Sequence, residues 1–412
     1  MSRLYVGSEI GKLNRVILHR PQLGLARLTP SNCDELLFDD VLRIGKAGEE
    51  HDKFHNTLVE HDVEVFLLND LLAETLADPE AKKWVLDQQC SELRFGATMA
   101  REVRSYMEEF DNRELSKRLT GGVAIVDIDP ELLKTTPKSL KGHMLQENSF
   151  VIEPLPNHLF TRDTSCWVYG GVSVNPMAKP ARRRETVHLK AIYQFHPMFK
   201  NGDFEYWYGK EDKNYEGATI EGGDVEVIGR GKVLIGISER TTPQGIEALA
   251  RSLFANGAAN EVVAVDLGQS RAAMHLDTVL TMLDHDAFTY YPAVVNDDSR
   301  HFSLTPGDDG DVIVHERQSF FKTLAHLAGV ERVRMVPTGG GDIFAAEREQ
   351  WNDANNVLTI RPGVVIGYER NHYTIDRMQK EGIKVIAIPG DELGRGRGGA
   401  RCMSCPIDRD DI

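Results

Sequence analysis

Short runs of hydrophobic residues, separated by glycine turns, recur along the chain in a fixed order. In "VEVIGRGKVLIGIS" (residues 225–238), two apolar runs flank a Gly-Arg-Gly turn, which predicts a pair of antiparallel strands. The next segment, "ERTTPQGIEALARSLFANG", has the apolar spacing of a helix that ends at glycine, and "EVVAVDL" predicts a third strand. This part of the chain therefore predicts a ββαβ unit.

The unit recurs along most of the sequence. Further copies begin at "CWVYGGVSVNP", "TVLTMLDHD" and "NVLTIRPGVVIGY", and a less regular first copy consists of "LNRVILHRP", a long loop, the helix "AGEEHDKFHNTLVEHD" and the strand "VEVFLLN". No single unit of this size could bury both faces of its sheet. Five copies therefore predict an α/β fold in which the units pack into a closed ring, a five-bladed α/β propeller with pseudo-fivefold ββαβ repeats. A doubly wound sheet is the alternative, but paired short hairpins favour the ring.

A stretch of different character separates the first and second units. It is rich in Leu, Ala, Glu and Lys; Asp78 and Pro79 have the form of a helix N-cap and first-turn proline, and Leu119 to Gly122 that of a helix end. We interpret residues 70–146 as a helical bundle inserted into a single catalytic domain of residues 1–412. Its simplest role is packing or assembly.

Charge and composition narrow the class of partner. The formal net charge of −15 repels phosphate backbones and anionic lipid, so nucleic acid and membranes are not expected partners, whereas a small cation is favoured. The first residues lack an apolar signal segment, and no run reaches about eighteen apolar residues, which predicts a cytoplasmic protein. Five cysteines in 412 residues fit reduced thiols better than a disulfide framework.

Polar residues gather at one recurring position, directly before the first strand of a unit. Asp163 precedes the second unit, Glu221 and Asp224 the third, and His275 and Asp277 the fourth. Equivalent positions of a ring lie at the same end and face its axis, so we expect these side chains to converge. Taken singly they fit a surface ion pair, a turn and a core histidine. Together they are costly to bury without a function, because like charges repel and each ion loses its hydration.

The C-terminal segment "GRGRGGARCMSCP" allows three interpretations. Its glycines match a dinucleotide-binding pattern, but no helix follows to offer its N-terminus to a phosphate. Cys402 and Cys405 form a C-x-x-C pair that lacks the second ligand pair of a structural zinc site and does not open a helix as a redox pair does. The third interpretation, which we favour, is a reactive thiol on a strand whose glycines let the backbone approach a ligand.

The segments "FTRD", "EGGD", "MHLD" and "GRGRGGARCMSCP", in this order, resemble the arginine deiminases of the guanidine-modifying superfamily. The likeness covers nearly the whole chain and includes "RLTPSNCDELLFDD", the helical insertion and "AEREQWNDANN". It implies the pentein fold, a five-bladed propeller. It also implies hydrolysis of L-arginine to L-citrulline and ammonia through a covalent cysteine thiouronium, with no cofactor and no metal, in a homo-oligomer, either a dimer or a tetramer.

The resemblance also implies a role for individual residues. Cys402 would be the nucleophile and His275 the general acid and base. Asp163 and Asp277 would bind the guanidinium, with Glu221 beside the reacting carbon. Arg182 and Arg240 would form the clamp for the substrate carboxylate. The further substrate contacts that the resemblance implies are Asn157, Phe160, Asp224 and Arg397. The resemblance gives Cys405 no catalytic role, and which of the arginines at 182–184 contacts the substrate stays open.

These residue types suit guanidine chemistry independently of the family. A guanidinium is planar and always protonated, so two aspartates can bind it through paired hydrogen bonds. A thiolate can attack its carbon, and a histidine can protonate the departing ammonia and then activate water. The carboxylates should also keep Cys402 a thiol until a cation arrives. The alternatives are an enzyme acting on agmatine, a methylated arginine or an amidino acceptor, and a non-catalytic arginine-binding protein. The carboxylate clamp disfavours agmatine, and the nucleophile disfavours binding alone.

Overall fold

The computed structural model describes residues 3–128 and 140–412 and shows a mixed α/β fold. Its strands, numbered β1 to β20 in chain order, are Tyr5–Val6, Leu13–Leu18, Glu64–Leu67, Val123–Ala124, Phe150–Ile152, Ser165–Val168, Gly171–Val174, Glu205–Tyr208, Val225–Gly229, Lys232–Ile237, Glu261–Asp266, Leu280–Asp284, Ala287–Tyr290, His301–Pro306, Val312–Arg317, Arg334–Pro337, Leu358–Arg361, Val364–Tyr368, Lys384–Ile388 and Cys405–Arg409. The α-helices are Leu23–Ala26, Ile44–Glu60, Leu68–Thr75, Pro79–Gln89, Glu92–Phe95, Ala97–Glu108, Asn112–Gly121, Leu140–Met144, Thr161–Thr164, Arg183–Phe195, Pro197–Lys200, Pro243–Ala255, Phe320–Ala328, Ile343–Trp351 and His372–Lys380.

The second to fifth predicted units are present as separate sheets. In each, two successive strands pair antiparallel, a helix follows, and the next strand pairs parallel with the second strand of the hairpin. The strands of these units are β6, β7 and β8; β9, β10 and β11; β12, β13 and β16; and β17, β18 and β19. The long connection of the fourth unit forms an extra hairpin, β14 and β15, which extends the sheet of the third unit.

The first unit takes one strand from the other end of the chain. β20 pairs antiparallel with β2, and β3 lies parallel to β2 after the helix Ile44–Glu60. The order β20, β2, helix and β3 is again ββαβ, which explains why this copy looks irregular when the sequence is followed from its beginning. Cys402 consequently lies directly before the first strand of a unit, as the other polar residues do.

Within the described residues the sheets remain separate, and none of these sheets is closed. The arrangement of the five units as propeller blades therefore stays a prediction.

The segment between the first and second units is helical where it is described. The Asp78 side chain accepts a hydrogen bond from the Glu80 N–H, with Pro79 in the first turn, as an N-cap does. The helix Asn112–Gly121 ends at Gly122, whose φ of 79° is in the region that favours glycine. Residues 129–139 of the predicted insertion lie outside the described residues, and its boundaries stay a prediction. In the described ranges, no helix has both the length and the apolar character needed to span a membrane.

Three of the strands that open the units are buried on both faces, and this burial positions the site. Every residue of β6, β9 and β20 is buried. Polar side chains that directly precede such strands are therefore enclosed by the packed units instead of facing water.

Candidate active site

All five units contribute polar side chains to one buried volume. Each of these residues lies just before the first strand of its unit, and each is at most 3% exposed. Side-chain contacts join them in two groups, which are linked by the turn that carries both His275 and Asp277 and by the hydrogen bond from the Arg162 N–H to the Cys402 carbonyl oxygen. They converge as the recurring position in the sequence predicts. The residues are Cys402 from the first unit, Asp163 from the second, Glu221 from the third, His275 and Asp277 from the fourth, and Asn356 from the fifth.

Two glycines of the "EGGD" segment let the units approach one another this closely. A Cβ atom on Gly222 would lie 2.0 Å from the Arg162 carbonyl oxygen. A Cβ on Gly223 would lie 2.7 Å from His275 Nδ1 and 2.9 Å from Asp163 Oδ1. Any side chain at these two positions would push the second, third and fourth units apart at the site.

His275 is buried between two carboxylates. Its Nε2 lies 2.9 Å from Glu221 Oε2, and its Nδ1 lies 3.7 Å from Asp163 Oδ1. Burial disfavours the charged imidazolium, but Asp163 and Glu221 outweigh burial and raise the pKa of His275 to about 9. At neutral pH the ring is therefore protonated and holds a proton that it can transfer.

Arg182 pairs with Asp163 at one side of the cluster. Its Nη1 lies 2.6 Å from Asp163 Oδ2, and its Nη2 donates to Glu185 at 2.9 Å and to the Asn157 carbonyl oxygen at 3.0 Å. Arg184 points elsewhere and donates to Gln89. Arg182 is thus the one of these two arginines that contacts the cluster, and it is held by the protein's own acceptors.

Arg240 pairs with Glu221 on the same side. The distance from its Nη1 to Glu221 Oε2 is 3.2 Å, and its Nε donates to Glu239 at 2.7 Å. Burial opposes ionisation of Glu221, but Arg240 and His275 lower the pKa of Glu221 to about 2. Glu221 is therefore an anion that accepts hydrogen bonds from the histidine and the arginine together.

Cys402 contacts Asp277 and Asn356. Its Sγ is 3.6 Å from Asp277 Oδ2 and 3.0 Å from Asn356 Nδ2. Burial, followed by Asp277 and Asp163, raises the pKa of the Cys402 thiol well above its usual value, while Arg401 opposes the rise. In this arrangement Cys402 carries its proton at neutral pH.

Arg401, which the sequence resemblance left without a role, fixes Asp277. Its Nη1 lies 2.8 Å from Asp277 Oδ2, and its Nε lies 2.8 Å from Glu9 Oε1. Asp163 and Asp277 are thus held alike, since each binds a protein arginine through Oδ2. The Oδ1 atom of each aspartate has no arginine partner among the described residues.

The remaining predicted substrate contacts differ in how fully they are engaged. Asn157 donates to the Leu36 carbonyl oxygen at 2.6 Å, and the Phe160 ring stacks on Phe38 with centroids 6.4 Å apart. Asp224 accepts from Ser238 and from the Leu276 N–H, so it braces the turn that carries His275. These three residues therefore support the walls of the cluster through contacts within the protein.

Arg397 differs because two of its donors are unused. Its guanidinium carbon lies 3.5 Å from the centre of the Trp351 ring, and the side chain is only 6% exposed. Within the described residues, Nε and Nη1 of Arg397 have no hydrogen-bond partner. This arginine can therefore accept an anionic ligand without giving up an existing bond.

Asp163, Glu221 and His275 have the geometry of a possible metal site, since their ligand atoms lie within 4.8 Å of one another. Arg182 and Arg240 already bind these carboxylates, and His275 is protonated at neutral pH. A divalent cation would have to displace two guanidinium groups and a proton. The donor set therefore fits a hydrogen-bonded ion cluster better than a metal centre.

Cys405 is excluded from the cluster although it lies only three residues beyond Cys402. Its Sγ lies 3.7 Å from Ser165 Oγ and 3.8 Å from Tyr193 OH, inside the core. The two thiols of the C-x-x-C pair thus face different surroundings and do not form a common site.

Comparison with known proteins shows the family of the chain and its fold. The family model described as "Arginine deiminase" matches residues 34–409. Similar solved structures include the amidinotransferase SxtG from Microseira wollei, with 14% identity, a TM-score of 0.57 and coverage of 99% of this chain and 98% of that one. The N-terminal domain of ArgZ, a cyanobacterial arginine dihydrolase, bound to its product, has 14% identity and a TM-score of 0.53, and 96% of this chain and 97% of that one are covered. The DDAH of Pseudomonas aeruginosa complexed with citrulline has 16% identity and a TM-score of 0.50, with 96% and 99% covered. At these identities the structural likeness shows a shared fold.

Proposed function

The chain belongs to the arginine deiminase family, and from this membership we propose that it hydrolyses L-arginine to L-citrulline and ammonia. Family membership supports an enzyme that modifies the amidine group of arginine-like substrates. The observation that carries the finer proposal is the convergence of a thiol, a protonated histidine and three carboxylates in one buried volume. A binding protein would need the carboxylates but not the thiol.

The guanidinium of the substrate binds between Asp163 and Asp277. Each aspartate keeps its Oδ2 on a protein arginine, and its Oδ1 accepts a guanidinium N–H. Oδ1 of Asp163 already accepts the Gly223 N–H at 3.2 Å and uses its second lone pair for the substrate. The arginine partners fix the two carboxylates before the substrate arrives, so little reorganisation accompanies binding. The positive charge of the substrate also offsets the carboxylates that hold Cys402 in its thiol form.

Cys402 then loses its proton to solvent, and its sulfur attacks the guanidinium carbon to give a tetrahedral adduct. The imidazolium of His275 protonates one amino group, the C–N bond breaks, and ammonia leaves behind a thiouronium on the sulfur. Neutral His275 removes a proton from water as the water attacks this carbon. Breaking of the C–S bond releases citrulline and restores the thiolate, so arginine and water are converted into citrulline and ammonia.

The α-carboxylate of the substrate binds at Arg397. Arg182 and Arg240, which the resemblance implies as the carboxylate clamp, are bound to protein carboxylates, whereas two donors of Arg397, implied only as a further contact, are unused. In this proposal Arg182 and Arg240 act through Asp163 and Glu221. Agmatine, which lacks the carboxylate, would lose the Arg397 contact.

The wider organisation is proposed on the same basis. The five ββαβ units form the blades of a propeller within one catalytic domain of residues 1–412, with residues 70–146 as a helical insertion. The enzyme works in the cytoplasm as a homo-oligomer, a dimer or tetramer, without a cofactor or metal.

The proposal is tested by incubating the purified protein with arginine and measuring citrulline and ammonia together. Parallel reactions with agmatine, a methylated arginine, and arginine plus an amine acceptor separate hydrolysis of arginine from the related activities. Equal amounts of citrulline and ammonia from arginine, undiminished by a chelator, are expected. Preferential turnover of any other substrate, or transfer to the amine, would overturn the assignment.

A further inference from the structure

The fifth unit contributes an asparagine to the cluster, Asn356, to which the sequence resemblance assigned no role. It lies just before β17, the first strand of its unit, and is 1% exposed. Aspartate, glutamate, histidine and cysteine occupy the corresponding positions of the other four units. The position of Asn356 in the repeat is thus that of the residues proposed to act on the substrate.

The hydrogen bonds of Asn356 converge on the turn that carries Cys402. Its Oδ1 accepts the Gly399 N–H at 3.0 Å and the Cys402 N–H at 2.8 Å. Because both main-chain donors point at one oxygen, the orientation of the amide is fixed, and its Nδ2 faces Cys402 Sγ at 3.0 Å. A Cβ atom on Gly399 would lie 2.4 Å from the main-chain carbonyl oxygen of Asn356, so glycine is required for this close approach of the two segments.

We propose that Asn356 is a further catalytic residue, whose side-chain N–H donates a hydrogen bond to Cys402 Sγ as negative charge forms on the sulfur. Its side-chain oxygen, Oδ1, holds the turn so that Cys402 is positioned for attack. The proposal rests on the proposed function of Cys402 as a nucleophile. Like the oxyanion-hole donors of other enzymes, Asn356 is placed before the reaction begins and pays no reorganisation during it.

The charges around the sulfur explain why a neutral donor is needed. Asp277 contacts Sγ at 3.6 Å, and burial, Asp163 and Asp353 also oppose formation of the thiolate, whereas Arg401 favours it. Arg401 itself is committed to Asp277 and Glu9. Asn356 is the described side chain that offers an N–H directly to the sulfur, and hydrogen bonds to ionised groups are stronger than those between neutral ones.

The test replaces the donor while keeping the shape. Asn356→Asp retains an oxygen for the two main-chain N–H groups but presents a second carboxylate oxygen to Sγ. Asn355→Asp is the matched control, because Asn355 is equally buried but bonds to Thr289 and Thr338. The readout is the pH dependence of the alkylation of Cys402 by neutral iodoacetamide, which requires no turnover and so is independent of the identity of the substrate.

We expect Asn356→Asp to move the inflection of Cys402 alkylation upward by about one to two pH units, with Asn355→Asp unchanged. In turnover of arginine, we expect kcat to fall by about tenfold to a hundredfold with little change in KM. An alkylation profile identical to that of the unmodified protein, or the same shift in the Asn355 control, would overturn the role of Asn356. If neither the unmodified protein nor the variants turned over arginine, but Asn356→Asp still shifted the pH profile of Cys402 alkylation, the proposed substrate would be refuted and the role of Asn356 would stand.

Asn356→Ala carries the same test without introducing a charge, in case Asn356→Asp does not fold. Folding of each variant is checked by its thermal unfolding transition. A folded Asn356→Ala protein should show a slower alkylation of Cys402 at a given pH and a reduced kcat. Unchanged alkylation and kcat in this variant would equally refute the proposal.

Discussion

Histidine is buried both in the polar cluster, as His275, and outside it, as His158 and His188, but the pKa shifts of His275 and His188 are opposite in direction. His275 lies between Asp163 and Glu221, and its pKa is raised to about 9 against the effect of burial. His158 and His188 are hydrogen-bonded to each other over 3.0 Å, and burial, with Arg184 next in effect, lowers the pKa of His188 to about 3. Charged neighbours, and not burial alone, thus decide which buried histidine carries a proton.

The two terminal cysteines differ in the same way. Burial raises the pKa of both thiols, but for Cys402 the next causes are carboxylates, whereas for Cys405 the remaining neighbours, Arg162 first, oppose the rise. A substrate cation that neutralises Asp277 can therefore activate Cys402 but has no corresponding group to act on beside Cys405. In the proposed mechanism, the substrate activates the thiol by offsetting the part of its raised pKa that comes from Asp277 and Asp163.

The largest expected effect separates the two thiols. Cys402→Ser should lower kcat by more than about 10³-fold, because a hydroxyl is a far weaker nucleophile without a strong base. Cys405→Ser should keep kcat within about threefold, since Ser165 and Tyr193 can hydrogen-bond the new hydroxyl. Steady-state assays of citrulline measure both variants. Equal losses would mean that the thiols act together, contrary to their separate surroundings.

Loss of either aspartate should have the next largest effect. Asp163→Ala and Asp277→Ala each remove one of the carboxylate partners of a buried arginine and one partner of the substrate guanidinium, at a cost of about 3–5 kcal/mol in kcat/KM. The effect should fall on kcat as well as KM, because the reacting carbon is misaligned. Steady-state kinetics, with thermal unfolding as the control for folding, provide the measurement. If a variant kept more than a tenth of the kcat/KM of the unmodified protein, the proposed role of that aspartate in binding the substrate would be wrong.

Alkylation of the free protein should show that Cys402 is a thiol until a cation binds. A neutral reagent should label Cys402 slowly at pH 7 and faster as pH rises, because burial and Asp277 raise the pKa of this thiol. A reagent of similar size that carries a guanidinium-like cation should label it at least about tenfold faster, since it supplies the missing positive charge. Fragmentation spectra assign the label to Cys402 or Cys405. An inflection below pH 7 with the neutral reagent would show a preformed thiolate and refute activation by the substrate.

The smallest expected effect is on stability, and it has opposite signs for the two histidines. The pKa of His188 is lowered on folding, so the unfolded chain takes up more protons below about pH 6.5 and stability falls with acid, by up to about 1.4 kcal/mol per pH unit. The pKa of His275 is raised, so its contribution is complete below about pH 6.5 and is lost as pH rises through about 9. Urea unfolding between pH 5 and 9 should show a shallower acid slope for His188→Gln and a shallower alkaline slope for His275→Gln. Slopes that match the unmodified protein would contradict these protonation states.

Local patterns in the sequence were sufficient to predict the units and the recurring position of the polar residues, because strands, turns and helices are specified by neighbouring residues. Pairing between distant segments could not be predicted in this way. β20 supplies the first strand of the first unit from the far end of the chain, and β14 joins the sheet of a unit other than its own. Both depend on contacts that no local pattern records.

The hydrogen-bond partners of the arginines at 182 and 184 could not be predicted from the sequence either. Nothing in "ARRRE" distinguishes Arg182, which binds Asp163, from Arg184, which binds Gln89. Asn356 is a different case, because its position before β17 repeats that of Asp163 before β6. The same pattern in the sequence therefore points to Asn356 in the fifth unit.

The central claim, that Cys402 carries the substrate carbon during hydrolysis, is tested most directly by trapping the intermediate. Protein in excess is mixed with arginine labelled at the guanidino carbon, quenched in acid at successive times and digested with trypsin. Cys402 and Cys405 share one tryptic peptide, and its fragmentation spectrum locates the label. The account predicts that Cys402 carries arginine less ammonia and that this adduct decays at the rate at which citrulline appears. Citrulline that forms while the peptide never carries label, or label found on Cys405, would contradict it.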